Sequence, residues 1–367
     1  MTQNTSSTGI FGRTTAVACD GSLGTAPELP AMRCADAARM RGEPLHASAV
    51  RYSRFLLLEV PGPWGTSALE CRHLEAGTAR RLAAAAADSG THVLLIRRAG
   101  RHPSTVAGTG AGTGAGTGTG TMPMAWALAD TSAGVERVQW GSWHDPADLL
   151  GIDLEAALPD SATGPQRLAL VCTNGKRDQC CAVRGRPVAA AIAAAGWDTW
   201  ECSHLGGHRF AATIMLLPTG DMFGWLDPES AVEVMCRFDA GELAASHYRG
   251  RCGQPAPVQA ALHAAAARLG DFRRDAIRAS RVRRLPAAGD DGRPRQAPDD
   301  PGRWEVEVIH QAADGKETAC RLVVAGSALA PTFLSCGDDI PRAEIHYEAR
   351  SFSRVASAMI VKDFVTP

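Results

Sequence analysis

No stretch of about 18 or more apolar residues occurs in this chain, so it contains no candidate helical membrane span. An excess of charge of one sign is also missing: 38 basic and 39 acidic side chains leave a formal net charge of -1. Nothing global therefore favours nucleic acid or an anionic membrane as a partner. The opening MTQNTSSTGIFGRTTAV lacks a basic n-region followed by an apolar h-region, and a cytoplasmic location is the expectation. No CxxC occurs, which argues against a thiol–disulfide oxidoreductase. Nor does any pair of carboxylates stand in a recognisable hydrolase motif.

The composition is that of an ordinary globular protein, 45% hydrophobic and 21% charged, over 367 residues. That length exceeds what one core usually accommodates, so two or three domains are expected. Eleven cysteines, an odd number without an export signal, do not suggest a disulfide framework. Cys19, Cys34, Cys71, Cys236, Cys252 and Cys320 are scattered and read as small buried apolar residues.

Composition marks three irregular regions. Residues 1–33 are polar and rich in Ser, Thr and Gly, and read as a disordered tail. Residues 107–121, AGTGAGTGAGTGTGT, have glycine at alternate positions only. GxGxxG and the Walker A pattern both need an odd gap, so this segment reads as a flexible insertion and not as a phosphate loop. Residues 283–303, centred on LPAAGDDGRPRQAPDDPG, read as a linker.

Between these markers one order of elements occurs twice. In the second copy, 167–172 (RLALVC) is an apolar strand and 185–196 (GRPVAAAIAAAG) a helix ending in glycine. Strands come next at 198–202, 211–217 and 222–226. Asp227 then caps a helix that has Pro228 at its first position. The first copy repeats this with a strand at 54–60, a helix at 74–89, and strands at 92–97, 126–129 and 138–143. Asp145 and Pro146 open its last helix. WHDPADLL echoes WLDPESAV. Residues 257–281 read as helix, and 304–309 and 319–324 alternate as strands do.

The chemistry concentrates in VCTNGKRDQCCAVRGRP and WECSHLGGHRFAAT. Together they hold Cys172, Cys180, Cys181, Cys202, His204 and His208. Thiolate and imidazole are the ligands that soft and borderline metals select. Cys172 ends a strand, and Cys181 stands just before the expected helix. His204 and His208 flank Leu205-Gly206-Gly207, where the glycine pair disfavours a helix and favours a bent loop. Zinc accepts the same ligand types as iron, so a Cys2His2 zinc module stays open beside an iron–sulfur centre.

These residues resemble the thioredoxin-like 2Fe–2S ferredoxins, and more closely the sucrase/ferredoxin-like family, whose ligand pair reads HxGGH. VCTNGKRDQCCAVRG and HLGGH carry the resemblance, with support from LLLEVPGPWG at 56–65 and SCG at 335–337. It implies an electron-transfer protein with one 2Fe–2S cluster held by Cys172, Cys181, His204 and His208. Cys180 stays open as the second thiolate, and Cys202 is expected to be a packed thiol. The family's sucrase label has no support in these residues.

The implied fold is α/β: two tandem thioredoxin-like β-α-β-β-β-α units and a small β-rich C-terminal domain. The first unit (34–158) is cluster-free, with Arg97 and Arg101 aligned on the two histidines. The second (159–250) is ferredoxin-like. A helical connector (251–282), the linker and the C-terminal domain (304–367) complete the chain. Lys176, Arg177, Arg184, Arg186 and Arg209 would form a docking face for an acidic redox partner.

Overall fold

A short helix, α1 (Cys34–Met40), opens the described part of the chain. The computed structural model describes residues 32–71, 73–99, 123–161, 164–286 and 301–355. The tail at 1–31, the loop at 107–121, Arg101 and most of the linker lie outside them.

Strand β1 (Arg54–Glu59) is a continuous apolar run because both of its faces are covered, Phe55 through Leu58 having no exposed surface. It leads through α2 (Ala76–Asp88) to β2 (Thr91–Arg98), β3 (Met124–Asp130) and β4 (Arg137–Trp143). Asp145 caps the next segment, with Pro146 at its first position. That segment is a 3-10 turn, not a full helix. The order then recurs as β5 (Leu168–Cys172), α3 (Gln179–Ala194), β6 (Thr199–Cys202), β7 (Ile214–Leu217), β8 (Asp221–Phe223) and α4 (Pro228–Asp239). Asp227 and Ser230 close a capping box on α4, with Pro228 at its first turn.

The two copies share one sheet of nine strands, ordered β4-β3-β1-β2-β6-β5-β7-β8-β9, where β9 is Tyr248–Arg251. Read outward from the middle, each half has the same order and the same pairing. β1 is parallel to β2 and antiparallel to β3, as β5 is to β6 and β7. The halves join where β2 and β6 run antiparallel, Ile96 opposite Cys202 and Arg97 opposite Glu201. Alternation along the strands separates two faces. Phe55, Leu57, Leu170 and Cys172 point into one core that spans both halves. Leu56 and Leu58 meet α2 on the other face, and Ala169 and Val171 meet α3 and α4.

The stretch at 257–281 is not one helix. Helix α5 (Ala256–Leu269) stops at Gly270, whose φ of 66° is left-handed. Residues from Ile277 form strand β10 (Ile277–Leu285). Its arginines face water and pair across the sheet, Arg283 with Glu305 on β11 (Arg303–Gln311). β12 (Glu317–Ala328) and β13 (Ile345–Arg354) complete a separate antiparallel sheet, β10-β11-β12-β13. The alanines of α5 pack on its inner face against Val306, Val308 and Leu322.

Three histidines meet where this sheet joins the rest. His46 stacks on His263 of α5 at 4.5 Å and meets His346 of β13 edge-on at 4.8 Å. Burial, then the neighbouring His46, pulls both His263 and His346 down to about 4. The unfolded chain, with histidines near 6.5, therefore takes up protons first as pH falls. Stability should drop between about pH 6.5 and pH 4, a window above that in which depressed carboxylates titrate. Thermal melts at pH 7.5 and 5.0 should differ by several degrees, and His263→Leu should shrink the difference.

Candidate metal centre

Helix α3 begins six residues before the glycine at which the sequence places it. Asp178 caps it by accepting the Cys180 N–H at 2.8 Å. Cys180 and Cys181 therefore lie in its first turn, not ahead of it. Successive helical residues point about 100° apart, so the adjacent thiols face different neighbours. Cys181 Sγ lies 3.4 Å from His208 Nδ1. Cys180 turns away, to Cys34 and Cys336.

Gly185 lets the helix approach so closely. A Cβ there would stand 2.2 Å from the Cys172 carbonyl oxygen, a backbone atom that cannot swing aside. Gly185→Ala should push α3 away from β5 and cost about 1–3 kcal/mol, read from the urea midpoint. Because the contact is with Cys172 itself, metal retention should fall along with stability.

The second half of the site is the turn 204–208. Gly206 and Gly207 have φ of 76° and 70°, left-handed values that other residues adopt only with strain. The turn stacks the His204 and His208 rings with centroids 4.1 Å apart. Arg249 of β9, fully buried, holds the turn from behind by donating to the Gly206 carbonyl at 3.1 Å.

Contacts run through all four residues singled out by sequence, but of the four only Cys181 and His208, with Asp178, belong to a group whose ligand atoms all lie within 4.8 Å of one another. Cys172 Sγ donates to the Ser203 carbonyl at 3.0 Å and also bonds Cys181 and His204. The Cys181 bond, opposed by burial and helped by His204, holds the Cys172 thiol well below its usual range. The same bond and burial push Cys181 up. His208 is driven down to about 3, by burial and then by His204, so its ring is the neutral imidazole that metals bind. Asp178, Cys181 and His208 form a group that could hold a metal ion. Cys202 is a packed thiol opposite Cys172, raised by burial and by that neighbour.

Three expectations need correction. Arg209 is not on a docking face: its side chain is buried and paired with Glu43 at 2.6 Å and with Glu344. Cys34 is buried as expected, but against thiols and Asp178, not in an apolar core alone. Cys236 is exposed. Arg97 pairs with Glu201 and lies over Trp64, so it is already neutralised.

Asp178 and Arg249 are two further residues of the site, outside the four ligand positions. An Asp just ahead of QCCA is an N-cap signal that could have moved the helix start. Nothing local marks Arg249. A groove of about 750 Å³, lined by Tyr52, His92, Asn174, Arg177 and His204 among others, brings His204 to the surface.

A family model described as sucrase/ferredoxin-like matches residues 45–250, more than half of the 367 residues and all four of these positions. No curated protein and no solved structure matches the chain.

Proposed function

Because the chain belongs to the sucrase/ferredoxin-like family, we propose that it is a one-electron carrier with one 2Fe–2S cluster on Cys172, Cys181, His204 and His208. The observation that carries this reading is the approach of thiols from the end of β5 and the first turn of α3 to the imidazoles of the 204–208 turn, Cys181 Sγ at 3.4 Å from His208 Nδ1. The donor set suits the cluster: soft sulfur on one side, neutral nitrogen on the other. A bound cluster would supply reversible one-electron chemistry, and two neutral imidazoles in place of thiolates would make it easier to reduce.

The chain's own groups do the rest. Asp178 and Gly185 set the turn that carries Cys181. Gly206, Gly207 and Arg249 set the turn that carries the histidines. The repeated strand order supports reading each half as a thioredoxin-like unit, the second bearing the cluster. In the first, Glu59 ends the strand where Cys172 ends β5, and Cys71 lies five residues ahead of α2 and not in its first turn, so that half serves as the packing partner.

His204, half-buried and lining the groove while Cys172, Cys181 and His208 are buried, would face an incoming partner. Arg177 lines the same groove, and it, Lys176 and Arg186 are exposed cations that suit an acidic redox protein. Arg184 is engaged by Asp36. No described helix is long and apolar enough to cross a membrane. The described cysteines are free thiols, which suits the cytoplasm as the proposed location.

A visible absorption spectrum tests this directly. Anaerobically purified protein should be coloured and should bleach on reduction. A colourless protein containing zinc would instead make it a Cys2His2 binding module.

A further inference from the structure

Cys34, Cys180 and Cys336 come from the start of α1, the first turn of α3 and the segment between β12 and β13. Up to 302 positions separate them in sequence. Their sulfurs nevertheless form a nearly equilateral triangle, 3.5 Å for Cys34–Cys180, 3.4 Å for Cys180–Cys336 and 3.5 Å for Cys336–Cys34. With a carboxylate oxygen of Asp178, all four ligand atoms lie within 4.8 Å of one another. The iron–sulfur reading uses none of the three sulfurs.

We propose that these three thiolates and Asp178 form a second metal site, for a single zinc(II) ion, that fastens α1 and the segment 329–344 onto the first turn of α3. Distance decides between a metal and a disulfide. Zinc–sulfur bonds of about 2.3 Å in a tetrahedron put sulfurs about 3.8 Å apart. Each observed separation needs to open by only a few tenths of an ångström. A disulfide bond of about 2.05 Å would draw one pair together by more than an ångström and strand the third thiol. No pair of the three is singled out.

The surroundings favour thiolates held for a cation. The Cys34 N–H donates to Cys336 Sγ at 3.5 Å, and the Ala35 N–H bonds the Cys180 sulfur. Asp178 fixes the backbone of two sulfur-bearing residues. Its Oδ1 accepts the Cys180 N–H, and its Oδ2 accepts the Cys336 N–H and the Ser335 hydroxyl, each at 2.8 Å. Metal sites use such outer bonds to orient their ligands. Three sulfurs and one carboxylate oxygen suit zinc, which accepts both donor types. Cys34 and Cys180 are buried, while Cys336 is exposed and provides the way in.

The test uses the full chain, purified anaerobically, equilibrated with zinc under a thiol reductant, desalted and assayed for zinc and iron. About one zinc per chain is expected. Cys336→Ala, at an exposed position, should lower retained zinc at least tenfold, and Cys336→His should restore it in part. His204→Ala/His208→Ala should keep the zinc whether or not the unaltered chain holds iron, so this site and the cluster are judged separately. Zinc that survives in Cys336→Ala but leaves with the histidines would overturn the proposal. So would the absence of zinc from the unaltered chain, or a disulfide within the triad in the anaerobic protein.

Discussion

Replacing both His204 and His208 by cysteine should leave a coloured protein whose reduction potential is lower by on the order of 200 mV. The two substitutions exchange neutral imidazoles for thiolates, adding about two negative charges around the same core. Gly206 and Gly207 are retained, so the left-handed turn that aims the pair is unchanged. The stacked rings, 4.1 Å apart, show that both positions point into the same space. Voltammetry on the two proteins checks the shift. An unchanged potential would mean that neither histidine ligates the redox centre.

The second large effect is expected at Arg249, which no carboxylate accompanies in its hydrogen bonds. Its guanidinium donates to the Ser48 hydroxyl at 3.0 Å, to the Ser48 carbonyl and to the Gly206 carbonyl. Burial, then repulsion from Arg209, brings its pKa down to about 9, so it remains charged at neutral pH. Arg249→Met keeps most of the apolar volume but leaves two buried carbonyls without a donor, at about 1–3 kcal/mol each. A loss of about 2–6 kcal/mol in urea denaturation is expected. Removing a buried cation beside the 204–208 turn should also lower the potential, because added negative charge would then meet less compensation. Arg249→Lys, which restores charge but not the forked donor geometry, should recover the potential better than the stability.

The duplicated order of elements was legible because its signals are local. Apolar runs such as RFLLLE and LALVC give strands, and the Asp-Pro pairs 145–146 and 227–228 give sharp starts to the 3-10 turn and to α4. The start of α3 was hidden for a tertiary reason. Gly185 and Pro187 look like breakers, yet both lie inside the helix, and Gly185 is there because the Cys172 carbonyl leaves no room for a Cβ. β9 escaped because YRGR is short and charged, and its buried Arg249 makes sense only against Ser48 and Gly206. The sharing of one sheet by the two halves depends on β2 meeting β6, a pairing across about a hundred residues that no local pattern announces.

The candidate site divides in the same way. The ligand types and the bent HLGGH turn can be read from the residues themselves. Spacing alone left Cys180 and Cys181 open, since both precede the same apolar run. Only the rotation of the first helical turn sends Cys181 to His208 and Cys180 to Cys34. The long-range partner Cys336 stands in SCG, a motif with no helix or strand signal of its own.

The central claim is the identity of the metal centre at Cys172, Cys181, His204 and His208. It is tested most directly by iron and acid-labile sulfide analysis of anaerobically purified protein, beside the Cys172→Ser variant. The expected result is about two iron and two sulfide per chain, lost almost completely in the variant, because a serine oxygen replaces a buried sulfur ligand. Protein with zinc and no sulfide, or iron retained unchanged in Cys172→Ser, would contradict it.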